Sequence, residues 1–231
     1  MKANTKDQTS RRGFIGNIAT GAAAIGLATL TGSLQPLKAS PLLSGTELND
    51  AEDVFRNLKG KHRIVYDVPK AVGIFPFAWS RVFLLTNMAT GTPEKDNNVV
   101  VVLRHSGIPY AFEDRLWEKY NFAEFFNVQT NQKPLTRNPF WKPAKGTYKL
   151  PGIGEVAIGI NELQESGVQF VVCNAAITVN SAAYAEKFNM DPATVKKDWE
   201  SGLLPGVTVV PSGVWALGRA QENKCAYVFT A

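Results

Sequence analysis

Residues 98–106 read NVVVVLRHS, an unbroken apolar run that ends in three polar side chains. A strand that is apolar on both faces is typical of a parallel sheet covered by helices on each side. Four other stretches have the composition of strands: HRIVYDVP (62–69), VQFVVCNAAI (168–177), GVTVVPS (206–212) and CAYVFT (225–230). The chain is therefore predicted to form five strands.

Helical patterns lie between these strands. Apolar residues recur at helical spacing in segments 77–91, 113–128, 154–167, 180–189 and 213–223, and Asp191-Pro192 is typical of a helix start. In the first of these helices, Val82, Leu85 and Met88/Ala89 lie on one face, and Gly91 ends the helix. The alternation predicts an α/β fold, a three-layer sandwich with a mostly parallel five-stranded sheet.

The first 39 residues have the order of an export signal. TSRRGFIG (9–16) is followed by a Gly/Ala-rich apolar stretch to Leu34 and by a small residue, Ala39, before a predicted cleavage site. An N-terminal membrane anchor is the alternative, but polar and glycine residues dilute the stretch below a typical spanning helix. We predict a twin-arginine signal cleaved near Ala39, a periplasmic location, and no membrane attachment of the mature protein.

The charge of the chain resides mainly in this signal. The whole sequence carries a formal +5, of which residues 1–39 hold +4, leaving +1 for the rest. Nucleic acid is therefore not a predicted partner. The remaining chain divides into a lead-in (40–61) with one short helix around Leu48, Ala51 and Phe55, and an α/β domain (62–231).

An irregular insertion interrupts the domain at about 129–152. Four prolines punctuate it, and Phe140, Trp141 and Tyr148 stand among lysines. Loops of this length are usually functional, interfacial or mobile. A lid, a subunit contact and a packed surface loop are all consistent with this composition.

Ligands of open α/β sheets bind at the carboxyl ends of the strands. Three groups of residues follow predicted strands at that edge: Arg104-His105-Ser106, Cys173-Asn174 and Pro211-Ser212-Gly213. From these the predicted substrate-binding residues are Arg104, Ser106, Asn174 and Ser212. Cys173 is either a thiolate favoured by the following helix or an ordinary buried cysteine. His105 is either a general base or a hydrogen-bonded structural residue.

Cys225 is expected at the opposite end of the sheet, before the last strand. A disulfide requires Cα atoms within about 7 Å, so two free cysteines are predicted, with a structural role for Cys225. There is no glycine-rich phosphate loop, and two histidines and two cysteines far apart do not make a zinc pattern. Neither a cofactor nor a metal is predicted.

The chain resembles the DsrE/DsrF-like family of sulfur-relay proteins. The resemblance rests on VVCNAAI (171–177), on GV (206–207) and VPSGV (210–214), and on RAQ (219–221) before the last strand. It covers roughly residues 62–231 and is weakest across 129–152. In VVVVLRHSG (99–107), Ser106 separates the histidine and glycine that are often adjacent in the family.

The resemblance implies a flavodoxin-like sheet, homo-oligomers that are often trimers or hexamers, and protein partners that donate or accept sulfur. It implies that Cys173 stands where relay members accept a persulfide, and that Cys225 matches no active position. Relay members act in the cytoplasm, whereas this chain carries an export pattern. The predicted function is a periplasmic sulfur carrier that uses Cys173 and His105, at most a sulfurtransferase. The alternative is a non-catalytic binding module with Cys173 buried and inert.

Overall fold

The computed structural model describes residues 43–128 and 135–230. Seven strands are present in this part of the chain: β1 (His62–Val68), β2 (Asn97–Leu103), β3 (Lys149–Leu150), β4 (Gly154–Glu155), β5 (Gln169–Cys173), β6 (Val207–Val210) and β7 (Ala226–Phe229). The α-helices are α1 (Gly45–Arg56), α2 (Phe75–Ala89), α3 (Asp114–Lys119), α4 (Phe122–Phe125), α5 (Ile160–Glu165), α6 (Asn174–Lys187), α7 (Pro192–Ser201) and α8 (Gly213–Glu222). Two 3₁₀ helices span Glu94–Asp96 and His105–Ala111.

The main sheet has five strands in the order β6-β5-β2-β1-β7, and every pairing in it is parallel. The predicted three-layer sandwich with a five-stranded sheet is confirmed. When the five strands of this sheet are numbered along the chain, their order is 4-3-2-1-5, which differs from the flavodoxin order 2-1-3-4-5. The chain passes through four neighbouring strands in one direction before it reverses. The last strand, β7, then pairs with the free side of β1.

This order determines which face each helix covers. Crossovers between parallel strands are right-handed, so connections that step in one direction place their helices on one face. The connections β1 to β2, β2 to β5 and β5 to β6 step the same way, and helices α2–α7 pack on that face in the larger apolar core. The return from β6 to β7 places α8 on the other face, where it packs with α1 in the smaller core.

Helix α1 belongs to the α/β domain by its packing. Its N-cap Ser44 and Glu47 form a capping box, and Ala51 and Phe55 are buried in the smaller core. Leu48, predicted to share their face, is exposed. Since α1 covers one face of the sheet, the segment predicted as a lead-in is part of the sandwich.

The insertion packs into the larger core over its described part, residues 135–152. The Phe140 ring stacks on Phe77 of α2, with centroids 3.9 Å apart, and Tyr148 stacks on Phe140. Its end forms a two-stranded antiparallel sheet, β3-β4, which includes Gly154 and Glu155 from a segment predicted as helix. Because Phe140 is buried, it is not available as a lid or subunit contact. Residues 129–134 of the predicted insertion lie outside the described residues.

Two predicted strands end earlier than expected. The strand predicted over 98–106 ends at Leu103, and His105, with φ of 49°, begins a 3₁₀ helix. There Gly107 approaches the β1 backbone so closely that a Cβ would lie 2.2 Å from Val68 O. The strand predicted over 168–177 ends at Cys173, because the chain turns directly into α6.

Two predicted helices also differ in extent or orientation. The helix predicted over 113–128 is divided into α3 and α4 by Asn121, whose φ is 47°. Helix α2 buries Phe77 and Leu84, while Leu85 and Met88 of the predicted face are exposed. Both faces of α2 carry apolar residues, and the helix predicted over 77–91 is present as Phe75–Ala89. None of the helices in residues 43–128 and 135–230 is long and apolar enough to cross a membrane.

Candidate functional site

The strand order makes the chain diverge at the carboxyl ends of β5 and β6. The chain leaves β5 toward one face of the sheet, as α6, and leaves β6 toward the other face, as α8. Ligands of open α/β sheets bind where neighbouring strands diverge in this way. Cys173 pairs with Val210 at this point, so the thiol lies at the divergence of the two connections.

Cys173 is the last residue of β5 and the N-cap of α6. Its backbone is extended, with φ of −75° and ψ of 109°, and its Sγ accepts a hydrogen bond from Ala176 N at 3.2 Å. A sulfur atom in this position receives a backbone N–H and the positive end of a 14-residue helix. The residue is buried, with 6% of its surface exposed.

An ion pair between adjacent strands lies at the same sheet edge. Arg104 donates from Nε to Asp67 Oδ1 at 2.6 Å and from Nη2 to Asp67 Oδ2 at 2.9 Å. The Asp67 side chain is 1% exposed and that of Arg104 is 25% exposed. A bidentate pair with a buried carboxylate holds the guanidinium plane in one orientation. The pKa of Arg104 is raised, chiefly by the hydrogen bonds to Asp67 and also by the charges of nearby groups that include Cys173.

The last strand completes the surroundings of Asp67. Tyr227 donates its hydroxyl to Asp67 Oδ2 at 2.7 Å, and Thr230 donates its backbone N–H and its hydroxyl to Asp67 O. Burial, followed by the hydrogen bond to Asp67, raises the pKa of Tyr227. The tyrosine thus remains a neutral donor, and both carboxylate oxygens of Asp67 are engaged.

The backbones of Arg104 and Cys173 lie side by side at the carboxyl ends of the adjacent strands β2 and β5. The β2-β5 register pairs Leu103 with Val172, so the next residue along each strand is Arg104 on one and Cys173 on the other. Arg104 also lies against the start of α8, where a Cβ on Gly213 would come within 2.5 Å of Arg104 Cβ. The predicted groups around residues 104, 173 and 213 therefore meet at one edge of the sheet.

His105 is oriented by its own neighbour. Its Nδ1 and the Ser106 Oγ share a hydrogen bond at 2.7 Å, and the imidazole is exposed. Within the described residues this is the only side-chain hydrogen bond that His105 makes. The predicted action of His105 and Ser106 on a substrate at Cys173 stays a prediction.

The other two predicted binding residues lie at helix starts. Asn174 is the first residue of α6 and is buried. Ser212 is the N-cap of α8, where its Oγ accepts from Trp215 N at 3.2 Å. Pro211 O accepts from Ala175 N and ties the two helix starts together. The Ser212 hydroxyl, predicted to bind substrate, is therefore engaged in capping α8.

Cys225 lies away from this site, as expected. It directly precedes β7, at the amino end of the parallel strands, and two strands separate β7 from β5. With strands about 4.8 Å apart, that separation exceeds disulfide reach, and both cysteines are free. Burial raises the pKa of the Cys225 thiol, against a smaller opposing effect of Arg63.

Asp67 and Tyr227 are the site residues that the sequence reasoning missed. The signal available for Asp67 was a single acidic residue inside the apolar strand HRIVYDVP. Its identification required the pairing of β1 with both β2 and β7. In the part of the chain that the structure describes, no group of three or more His, Cys, Asp or Glu residues is arranged to hold a metal ion.

Comparisons with known proteins add a structural neighbour of unknown function. No protein-family model matches the chain, and no curated protein matches it in sequence. Among solved structures, a protein of unknown function from Methanobacterium thermoautotrophicum is similar at 19% sequence identity, covering 73% of this chain and 99% of that chain, with a TM-score of 0.34. This likeness adds nothing to the functional argument.

Proposed function

We propose that the protein is a sulfur carrier of the DsrE/DsrF-like type, with Cys173 as the sulfur acceptor. The observation that carries the proposal is the position of Cys173 Sγ, at the divergence of β5 and β6 and hydrogen-bonded to Ala176 N. The backbone donor lies in the first turn of α6 and holds the sulfur at the end of β5. Arg104, which follows the neighbouring strand β2, is ion-paired with the buried carboxylate of Asp67.

The proposed cycle has two thiol-exchange steps. The Cys173 thiolate attacks a sulfane sulfur, the bond between that sulfur and its former carrier breaks, and the carrier leaves with the electron pair. Cys173 then holds a persulfide, whose outer sulfur is attacked by the thiolate of an acceptor. This returns Cys173 to its thiolate form, so the carrier itself undergoes no net change.

Mass spectrometry of the intact protein after incubation with inorganic polysulfide tests the proposal. The wild type gains an adduct of about 32 Da, the mass of one sulfur atom, and reducing agent removes it. Cys173→Ser does not gain this adduct, whereas Cys225→Ser, the matched control, gains it as the wild type does. If the wild type gains no adduct, or Cys173→Ser keeps it, the carrier proposal is wrong.

The low exposure of Cys173 favours a second candidate function. With 6% of the residue exposed, the site also suits a non-catalytic binding module in which the thiol is inert. Labelling of the folded protein with a small thiol reagent distinguishes the two. A carrier's Cys173 is labelled much faster than Cys225 at neutral pH, while equal and slow labelling of both cysteines favours the binding module.

We also propose that the protein acts in the periplasm as a homo-oligomer, a trimer or a hexamer, with a sulfur-donating or sulfur-accepting protein partner. The oligomer and the partner rest on the family resemblance alone. The location rests on residues 1–39, which lie outside the described residues. Fractionation of cells that express the full chain tests the location, and light scattering on the purified protein tests the assembly.

A further inference from the structure

The strand β7 forms an exposed edge of the five-stranded sheet. Among the residues that the structure describes, it pairs only with β1, so one side of its backbone has no neighbouring strand. Three of its four residues are exposed, whereas β6, at the opposite edge, has only buried and half-buried residues. An apolar edge strand in this state is a site at which another strand can pair.

The outward backbone groups of β7 belong to Tyr227 and Phe229. The Thr230 N–H donates to Asp67 O of β1 at 2.9 Å. Because the backbone groups of successive strand residues point to opposite sides, those of Val228 also face β1, and those of Tyr227 and Phe229 face away from it. Each of these two residues therefore offers one N–H donor and one C=O acceptor at the edge.

The side chains at this edge are apolar on both faces of the sheet. Val228 packs against the larger core, so Tyr227 and Phe229 lie on the other face, where both are exposed. On the face of Val228, an apolar cavity of about 280 Å³ separates β7 from α2. Its lining residues are Tyr66, Trp79, Val82, Phe83 and Val228.

We propose that β7 pairs with β7 of a second copy of this protein, antiparallel and about a two-fold axis at Val228. In this register Tyr227 of each copy lies opposite Phe229 of the other, and each such pair exchanges two hydrogen bonds. The Tyr227 and Phe229 rings form aromatic cross-strand pairs on one face. The two five-stranded sheets become one continuous sheet.

The charge of the surface favours a second copy as the occupant. No residue of β7 is charged, and α2 contains one charged residue, Arg81, whose guanidinium donates to the segment 157–166. Two identical surfaces of this kind meet without like-charge repulsion, and they present no charge that would select a different partner. The outward donors and acceptors of one strand also match those of its own two-fold copy, as an isologous contact requires.

The exposed aromatic area is substantial for a contact between two copies. Four aromatic side chains of β7 and α2 are each between 43% and 56% exposed: Phe75, Trp79, Tyr227 and Phe229. At roughly 200 Å² for each side chain, they expose roughly 400 Å² together. This is about half of the area that each partner contributes to a typical stable interface. The backbone of β7 and the half-buried Val82 and Val228 add to it.

This inference does not depend on the chemistry proposed for Cys173. It does distinguish between the two proposed assemblies, because a hexamer made of two trimers contains two-fold contacts and a trimer does not.

Light scattering on the purified protein tests the contact. Phe229→Lys places a charge beside Tyr227 of the second copy, and lysine on an edge strand opposes pairing. The molar mass of this variant falls to half that of the wild type. Phe188→Lys makes the same change at another exposed aromatic residue, at the end of α6, and keeps the wild-type mass.

A disulfide between copies tests the register. Two Val228 residues that face each other in a non-hydrogen-bonded pair have Cα atoms about 4.5 Å apart, within disulfide reach. Val228→Cys therefore forms a covalent dimer on oxidation. Phe229→Cys is the matched control, because Phe229 lies opposite Tyr227 and not opposite its own copy, and its dimer forms at least ~10-fold more slowly. The wild type forms no covalent dimer, since Cys173 and Cys225 are both buried.

The inference is overturned if the wild type is a monomer or a trimer, or if Phe229→Lys folds and keeps the wild-type mass. A monomer would leave the β7 edge to an extended segment of a different protein. If Phe229→Lys does not fold, the oxidation experiment decides, and failure of Val228→Cys to form a covalent dimer overturns the inference. Each of these results leaves the sulfur adduct on Cys173 as a separate measurement, so the carrier proposal stands or falls independently.

Discussion

The stem of Arg104 crosses the start of α8 directly over Gly213. A Cβ built on Gly213 would lie 2.5 Å from Arg104 Cβ and 2.7 Å from Arg104 Cδ. Real Cβ atoms do not approach other carbons so closely, so any larger residue at position 213 displaces the arginine or the helix. The absence of a side chain at position 213 is therefore part of what lets the Arg104 stem lie against α8 while its guanidinium binds Asp67.

Gly213→Ala is predicted to destabilise the protein by about 1–3 kcal/mol, because the added methyl group overpacks against Arg104. Gly218→Ala is the matched control in the same helix, since no atom lies within 4 Å of a Cβ built there. Gly218→Ala should stabilise the protein by up to about 1 kcal/mol, because alanine is the better helix former. Urea unfolding measures both variants, and equal effects at the two positions would contradict the packing described.

A second prediction concerns acid stability and Asp198 on α7. Arg115, Lys119 and Tyr120 donate to its carboxylate at 2.6–2.7 Å. Burial opposes ionisation, but these three hydrogen bonds outweigh it and hold the pKa of Asp198 well below its ordinary value. The folded protein therefore resists protonation at a site that the unfolded chain protonates near pH 4.

The sign of the pH effect follows from this difference. The contribution of Asp198 to stability is fully present above about pH 4 and is lost as the pH falls toward the lowered pKa. Asp198→Asn should flatten the decline of the urea midpoint between about pH 4 and pH 2. Asp53→Asn makes the same charge change at an exposed position on α1. Equal flattening in this control would indicate a general charge effect and contradict the assignment to Asp198.

The third prediction tests the packing of the insertion. Phe140→Ala should cost about 3–5 kcal/mol, because it removes a ring that stacks on Phe77 and Tyr148 in the larger core. Trp141→Ala, at the partly buried neighbouring position, should cost clearly less. Chemical unfolding measures both, with light scattering to follow the assembly. A larger loss for Trp141→Ala, or a change of assembly with no loss of stability in Phe140→Ala, would contradict the core role of Phe140.

Much of the fold could be predicted from local patterns. The unbroken valines of β2 indicate a strand with two covered faces, and Asp191-Pro192 and Ser212 mark helix starts that the structure contains. These signals depend on residues close in sequence. Local patterns did not predict the helix break at Asn121, where φ is positive, or the start of α6 directly after Cys173.

The candidate site was predicted in part. Cys173, Arg104 and Ser212 were expected at one sheet edge, because the carboxyl ends of parallel strands meet there. The sequence did not identify Asp67 as the partner of Arg104, since an acidic residue in a strand is informative only when the neighbouring strands are known. Nor did it reveal that Tyr227, 160 positions away from Asp67, reaches the same carboxylate.

The sequence by itself determined the class of the fold, the ends of several helices, and the placement of one cysteine after an apolar strand. Hydrophobic periodicity, helix caps and turns depend on residues only a few positions apart, so they can be identified from the sequence directly. The tertiary structure decided the strand order, which puts Cys173 where the chain diverges to opposite faces and brings Asp67, Arg104 and Tyr227 together. Strand order depends on the summed packing of all the helices against the sheet, and no local segment encodes that sum.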